Sequence, residues 1–119
     1  MSEFACEGAS IDEKSAVVTI RGELDLATAI RLKDCLEGLG EAGTADRLVI
    51  DLSQCTFVDS SGLEQLVVAQ RRTEAPLHIV AGESQVREVL ALTALDSVFS
   101  LHETREDAVE SLLRRQRES

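Results

Sequence analysis

The sequence contains no tryptophan and no tyrosine, and aromatic residues make up only 3% of its 119 positions. We therefore expect an aliphatic core of Val, Leu, Ile and Ala side chains. Proteins that bind single-stranded nucleic acid stack the bases on aromatic side chains, and this chain has almost none to offer. The single proline and the lack of a low-complexity linker predict one domain over residues 1–119, a typical length for one domain.

Basic residues are scarce: 12 Lys and Arg stand against 22 Asp and Glu, which gives a net charge of −10. Phosphate backbones and anionic membrane surfaces repel such a chain, so we expect neither nucleic acid nor membrane as a partner. No apolar run reaches the roughly 18 residues of a membrane span. The first residues, "MSEFACEGAS", lack the basic and apolar regions of a signal peptide. These absences predict a cytoplasmic protein.

The sequence also lacks the residue spacings of metal sites and disulfide frameworks. Cys6, Cys35 and Cys55 are widely separated without a C-x-x-C pair, and His78 and His102 stand alone in the sequence. We therefore predict no metal site, no cofactor and no disulfide framework. Cys35 and Cys55 lie among apolar residues, which is typical of small buried hydrophobic side chains.

Strand and helix patterns alternate along the chain, which is typical of an α/β fold. The predicted elements are strands at 4–10 and 15–22, a helix at about 26–40, a strand at 47–52, a helix after "DSSG" (59–62), a strand at 77–81, a helix capped by Ser84, a strand at 97–101 and a helix that begins with a capping box at Thr104 and Asp107. Such alternation predicts a four- to five-stranded mixed sheet, mostly parallel, with an antiparallel edge strand and about four helices.

Two polar junctions follow strands of the predicted sheet, "GELD" (22–25) and "DSSG" (59–62). Sites in open α/β sheets gather at the carboxyl ends of the strands. Asp25 is a natural cap for the first helix, and Asp59 or Ser60 for the next one. The glycine in "DSSG" allows another backbone or a ligand to approach closely.

The residues of "DSSG" leave two interpretations open. The motif is either a helix cap and nothing more, or a place where a phosphate on Ser60 would be stabilised by the helix N-terminus. If the two junctions share one edge of the sheet, Asp25 and Asp59 flank Ser60. Two carboxylates beside a hydroxyl suit Mg²⁺-assisted phosphoryl transfer or polar contacts to a partner.

Catalytic motifs are lacking. A serine nucleophile needs a base, neither histidine lies in a recognisable triad context, and "DSSG" is not the G-x-S-x-G elbow of hydrolases. No G-x-x-x-x-G-K-[ST] and no G-x-G-x-x-G is present to hold the phosphates of a nucleotide. We therefore expect a binding protein and no enzyme.

The combination of "VVTIRGELDLATA" with "LVIDLSQCTFVDSSGL", the helix that follows and the spacing between them resembles the STAS domain family over nearly the whole chain. Within that family, the chain is most similar to the single-domain anti-sigma factor antagonists of bacteria. The resemblance implies a STAS-like fold and a cytoplasmic regulator of transcription that works by partner switching.

The resemblance further implies that the chain binds an anti-sigma factor that is also a serine kinase, and that this binding frees a sigma factor. The kinase would phosphorylate the serine after the motif aspartate, here Ser60, to lower the affinity, and a phosphatase would reverse the change. The implied partner-binding residues are Asp25, Asp59, Ser60, Ser61 and Gly62. The alternative is a STAS adaptor without a phosphorylation cycle, in a lipid transporter of the ATP-binding-cassette type or a signalling scaffold. The oligomeric state stays open.

Glu64 departs from the family pattern, which often has a glycine or another small residue after "DSSGL". On a helix Glu64 lies at i+4 from Ser60, where two like charges repel each other by a few tenths of a kcal/mol. That repulsion is too small to forbid phosphorylation. We interpret Glu64 as a further partner-binding residue that tunes the choice of partner.

Overall fold

The computed structural model describes residues 4–38, 46–73 and 76–118. Five strands form one sheet in the order β1-β2-β3-β4-β5. Their bounds are Ala5–Ser10, Ser15–Leu24, Arg47–Val58, His78–Val80 and Ser100–His102. β1 pairs with β2 in the antiparallel sense, and all other pairs are parallel. The predicted mixed sheet with one antiparallel edge strand is confirmed.

Helices cover both faces of this sheet. The four α-helices are α1 (Ala29–Glu37), α2 (Ser60–Arg71), α3 (Gln85–Leu92) and α4 (Arg105–Glu118), and a short 3₁₀ helix spans Leu95–Ser97. Neighbouring residues of a strand point to opposite faces. Ile50 accordingly packs with buried residues of α1, α2 and α3, whereas Val49 packs with Ala108 and Leu112 of α4.

The core between these layers is aliphatic, as predicted from the scarcity of aromatic residues. Its largest fully buried side chains are Leu, Ile and Val residues. Cys55 is buried, which confirms the prediction for that residue, but Cys35 is only half-buried. The prediction for Cys35 was wrong because the residue lies at the border of the apolar stripe of α1, beside the edge strand.

β3 is the element whose length differs most from the prediction. It continues to Val58, well beyond the predicted end at Leu52. Ser53 and Gln54 are exposed, so the apolar pattern breaks although the pairing with β2 continues. The register shifts on either side of Gly22, which has a φ of 91°, a conformation that favours glycine. The extension carries β3 to the start of α2.

The first helix begins later than predicted. Residue 26 lies in a turn, and α1 starts at Ala29, with Thr28 at the N-cap position. Asp25 therefore caps the turn and not the helix itself. Within the described residues α1 ends at Glu37, and the predicted end at Gly40 lies outside them.

The caps of the last two helices are confirmed. The Arg87 amide donates to the Ser84 hydroxyl at 3.4 Å, and the Asp107 amide donates to the Thr104 hydroxyl at 3.1 Å. β5 lies at Ser100–His102 and not at 97–101, because the chain first forms the 3₁₀ turn at Leu95–Ser97.

Candidate functional site

The candidate site is built on the DSSG turn, which comprises Asp59, Ser60, Ser61 and Gly62 and lies where β3 ends and α2 begins. Asp59 has an extended backbone, and its Oδ1 accepts hydrogen bonds from the amides of Ser61 at 2.9 Å and Gly62 at 3.1 Å. Of the two predicted candidates, Asp59 is thus the helix cap. Ser60 is the first residue of the helix.

Ser60 is exposed, and its hydroxyl has no part in the cap. The structure corrects one expectation about a phosphate at this position. The amides of Ser61 and Gly62 already bind the Asp59 carboxylate, so they are not free to hold another anion. A phosphate on Ser60 would instead add negative charge beside a carboxylate.

The second junction forms a turn of its own at 25–28. Asp25 Oδ1 accepts hydrogen bonds from the amides of Ala27 at 3.0 Å and Thr28 at 3.1 Å. The Thr28 hydroxyl donates to the carbonyl oxygen of Glu23 at 2.8 Å and accepts from the Asp25 amide at 2.9 Å. The Asp25 carboxylate therefore shapes the turn between β2 and α1.

Two hydrogen bonds join this turn to the DSSG turn. The Asp59 amide donates to the carbonyl oxygen of Leu24 at 3.1 Å, and the Leu26 amide donates to Asp59 Oδ2 at 3.3 Å. The two junctions thus share one edge of the sheet, as expected from the topology. Both oxygens of Asp59 accept from backbone amides. Among the described residues no group of three or more His, Cys, Asp or Glu side chains could hold a metal ion, and nothing favours the Mg²⁺ interpretation.

Gly62 allows a close approach, as its position in the motif predicted, and the approaching backbone belongs to the protein itself. A Cβ at this buried position would lie 2.6 Å from the carbonyl oxygen of Leu24 and 2.8 Å from Val58 Cγ2. Any larger residue would push α2 away from the ends of β2 and β3. Gly62 therefore fixes the place of Ser60 relative to the sheet.

Sequence reasoning missed three exposed apolar side chains near the turn. Leu26 is 78% exposed, Ile30 55% and Val68 37%. Val68 lies two turns along α2 from Ser60, on the same side as the exposed Glu64. Leu26 lies in the turn before α1, and Ile30 lies in the first turn of α1. We call these three side chains, together with Ser60 and Glu64, the Ser60 face, and the bond of the Leu26 amide to Asp59 Oδ2 links the two turns that carry them. Their departure from the buried stripes of α1 and α2 is the signal that would have identified them.

Gln85 is a further residue that the sequence did not reveal. Its side-chain Oε1 accepts from the Val58 amide at 3.0 Å, and its Nε2 donates to the Val58 carbonyl oxygen at 3.1 Å. Val58 directly precedes Asp59. Because β4 stops at Val80, this amide takes the place of a strand neighbour and holds the end of β3.

The two histidines, which stand alone in the sequence, are neighbours in the structure. His78 Nδ1 and His102 Nε2 lie 3.0 Å apart, and the Ser100 hydroxyl lies 3.1 Å from His102 Nε2. Burial lowers the pKa of His102, although Asp107 raises it in part. His78 lies on the same face of the sheet as Val80, which packs against α4. The pair is thus on the face opposite α2, away from Ser60.

Known proteins match this chain over most of its length. The family model described as STAS domain matches residues 9–108. The anti-sigma-F factor antagonist RsfB of Mycobacterium tuberculosis is 38% identical over 98 residues, which cover 79% of this chain and 78% of RsfB. No helix within the described part of the chain is long and apolar enough to cross a membrane.

Solved structures share the fold. The crystal structure of an anti-sigma factor antagonist from Mycobacterium paratuberculosis is similar with a TM-score of 0.78 and 30% identity, and the match covers 94% of each chain. The anti-sigma factor antagonist SpoIIAA in its unphosphorylated form matches with a TM-score of 0.70 at 16% identity, over 92% of this chain and 98% of SpoIIAA.

Proposed function

Because this chain belongs to the STAS domain family, we propose that it is an anti-sigma factor antagonist, which binds an anti-sigma factor and thereby frees a sigma factor to join RNA polymerase. The observation that carries the proposal is the exposed Ser60 at the start of α2, in a turn that Asp59 caps without using the Ser60 hydroxyl. The similarity to RsfB, an anti-sigma-F factor antagonist, supports it. In this role the whole of residues 1–119 acts as one STAS unit in the cytoplasm.

Ser60 is the proposed phosphorylation site, and the kinase is the anti-sigma factor itself. In the active site of the kinase the Ser60 oxygen bonds to the γ-phosphorus of ATP and loses its proton, while the bond from that phosphorus to the bridging oxygen breaks and ADP leaves. This chain thus supplies the acceptor and no catalytic group. A phosphatase that hydrolyses the phosphoserine returns the chain to its binding form.

The effect of the phosphate follows from the charges around the turn. Phosphorylation adds about −1.5 to −2 charges. The amides of Ser61 and Gly62 are bound by Asp59 and do not neutralise them, while Glu64 adds a carboxylate one helical turn away. The added charge therefore stays on the Ser60 face. Its desolvation on contact with a partner costs free energy, and it repels acidic groups of that partner.

The proposed partner-binding residues have two different tasks. Asp25, Asp59, Ser61 and Gly62 hold the two turns in place through their backbone contacts and side-chain oxygens. Ser60 and Glu64 are exposed and contact the partner directly, together with the apolar side chains of Leu26, Ile30 and Val68 on the Ser60 face.

Incubation with a purified anti-sigma factor kinase from the same genome and ATP tests the site. We expect the parent and Ser61→Ala to gain one phosphate by intact mass, and Ser60→Ala to gain none. Binding of Ser60→Asp to the same kinase should be at least about tenfold weaker, the equivalent of 1.4 kcal/mol. Equal labelling of Ser60→Ala and the parent would exclude Ser60 as the acceptor.

Glu64 favours a second candidate, a STAS adaptor that binds its partner through the Ser60 face without a phosphorylation cycle. Its exposed carboxylate already places negative charge at i+4 from Ser60, so a partner that accepts Glu64 also tolerates charge at the turn. In that case Ser60→Asp should bind the native partner as tightly as the parent. Glu64→Ala is the matched variant, and it should weaken binding only if the partner contacts Glu64.

A further inference from the structure

Two of the three cysteines lie in the same layer of the fold. Cys6 lies opposite Ile20 in the β1–β2 pair, and Ile20 is fully buried in the core between the sheet and the first three helices. Cys6 packs against this core from the edge strand, and Cys35 packs against it from α1. Both side chains are half-buried, so both face the border between β1 and α1.

A contact between Phe4 and Arg31 shows how the positions along β1 and α1 correspond. The guanidinium carbon of Arg31 lies 4.9 Å from the centre of the Phe4 ring. Cys6 follows Phe4 by two residues and points to the same side of the chain, and Cys35 follows Arg31 by four on the same side of the helix.

The direction of the two elements brings the cysteines together. α1 connects the end of β2 to the start of the parallel strand β3, so it runs opposite to β2 and in the same direction as the antiparallel β1. Two strand residues advance the chain by roughly 7 Å, and four helical residues by about 6 Å. The Phe4–Arg31 contact therefore places Cys6 and Cys35 at the same level.

The thiols also interact with each other. Burial and a hydrogen bond with the Cys35 thiol raise the pKa of Cys6 far above its usual range, against a smaller opposite effect of Arg31. While Cys35 is a free thiol, Cys6 is thus protonated and the poorer nucleophile of the two. Any attack on an oxidant starts from Cys35.

We propose that Cys6 and Cys35 form a reversible disulfide bond that ties the edge strand β1 to α1. The Cys35 thiolate attacks one sulfur of a small-molecule disulfide and expels one thiol, which gives a mixed disulfide. Cys6 then loses its proton, attacks the Cys35 sulfur and expels the second thiol. The two cysteines lose two protons and two electrons, and the small-molecule disulfide gains both.

Cys55 serves as the internal control. It is 3% exposed, and its sulfur donates to the carbonyl oxygen of Phe57 at 3.3 Å. The burial that encloses it also raises its pKa. Its thiol is therefore closed to the oxidant in the folded protein.

The test treats the folded protein with excess oxidised glutathione, unfolds it in urea, alkylates the remaining thiols and measures the intact mass and the linked peptides. We expect the protein to lose the mass of two hydrogens, one alkylated cysteine at Cys55 and a peptide pair joined through Cys6 and Cys35. Cys55→Ser should form the same link. Cys6→Ser should stop at a glutathione adduct on Cys35, and dithiothreitol should reverse both products.

The melting temperature gives a second readout. A bond that closes the loop between β1 and α1 constrains the unfolded chain, so the melting temperature of the parent and of Cys55→Ser should rise on oxidation, and that of Cys6→Ser should not. Three alkylated cysteines, a glutathione adduct as the final product of the parent, or a link that includes Cys55 would each overturn the proposal.

Discussion

The starts of α2 and α3 both carry a serine, yet the two serines have different tasks. At α3 the Ser84 hydroxyl is itself the cap and accepts from the Arg87 amide. At α2 the cap is the carboxylate of Asp59, and Ser60 follows it with its side chain exposed. The hydroxyl of a serine that caps a helix is bound by the helix amides, whereas the hydroxyl of a serine next to the cap is left unused by the fold.

The surroundings of the two helix starts differ in the same way. The start of α2 is fixed from three sides, by the Asp59 cap, by the Leu26 amide and by the contact of Gly62 with Leu24. At Gly82, before α3, a Cβ would meet nothing within 4 Å. Of these two helix starts, the one that presents the unused hydroxyl is packed more closely against the sheet, which is what a switch on a rigid surface requires.

Gly62→Ala should have the largest effect on this difference. Its Cβ would lie within 3.0 Å of both Leu24 and Val58, and overpacking of this kind costs about 1–3 kcal/mol. Urea denaturation should place Gly62→Ala near the upper end of that range. Gly82→Ala is the matched control and should change the free energy of unfolding by less than about 0.5 kcal/mol. Equal losses for both would show that α2 is not held more tightly than α3.

Asp59→Ala should cause the next largest loss of stability. It removes a carboxylate that accepts from the amides of Leu26, Ser61 and Gly62, and hydrogen bonds to charged groups contribute about 1.5–3 kcal/mol. We expect Asp59→Ala to lower the free energy of unfolding by about 2 kcal/mol, and Ser84→Ala, which loses one long cap bond, by about 0.5–1 kcal/mol. A larger loss for Ser84→Ala in the same urea titration would reverse the comparison.

Gln85→Leu tests the link between the two helix starts. The variant keeps the size of the side chain but leaves the amide and carbonyl of Val58 without their partner. An unsatisfied buried polar group costs about 1–3 kcal/mol, and the lower end applies here because Gln85, which covers the Val58 backbone, is itself only half-buried. We expect a loss of about 1 kcal/mol and faster hydrogen exchange of the Ser61 and Gly62 amides. Unchanged exchange would show that Gln85 does not support the DSSG turn.

The sequence predicts the fold well because its signals are local. The alternation of strands and helices follows from apolar spacing, and the caps at Ser84 and Thr104 follow from the preference of hydroxyl side chains for helix starts. The end of β3 was missed because Ser53 and Gln54 are polar and exposed, although the pairing with β2 resumes at Gln54 and continues to Val58. Backbone pairing with a neighbour leaves no trace in the polarity of a strand.

The sequence supplied candidate residues for the site, which stay predictions, but it did not supply their geometry. The motif identified Asp59, Ser60 and Gly62, yet it did not decide which residue is the cap or which backbone Gly62 admits. Those answers depend on Leu24 and Leu26, which come from a distant part of the chain. The roles of Gln85 and of the two histidines were not predicted for the same reason. Only the order of the strands brings Gln85 next to Val58 and the two histidines next to each other.

Ser60→Ala should have the smallest effect on the free energy of unfolding. It is also the most direct test of the difference between Ser60 and Ser84. The Ser60 hydroxyl does not cap the helix, and alanine is well tolerated in a first helical turn, so the free energy of unfolding should stay within about 0.5 kcal/mol of the parent. Ser84→Ala in the same experiment should lose more. If Ser60→Ala destabilises the protein as much as Ser84→Ala does, the Ser60 hydroxyl is part of the fold, and its phosphorylation would unfold the start of α2 in addition to charging the surface.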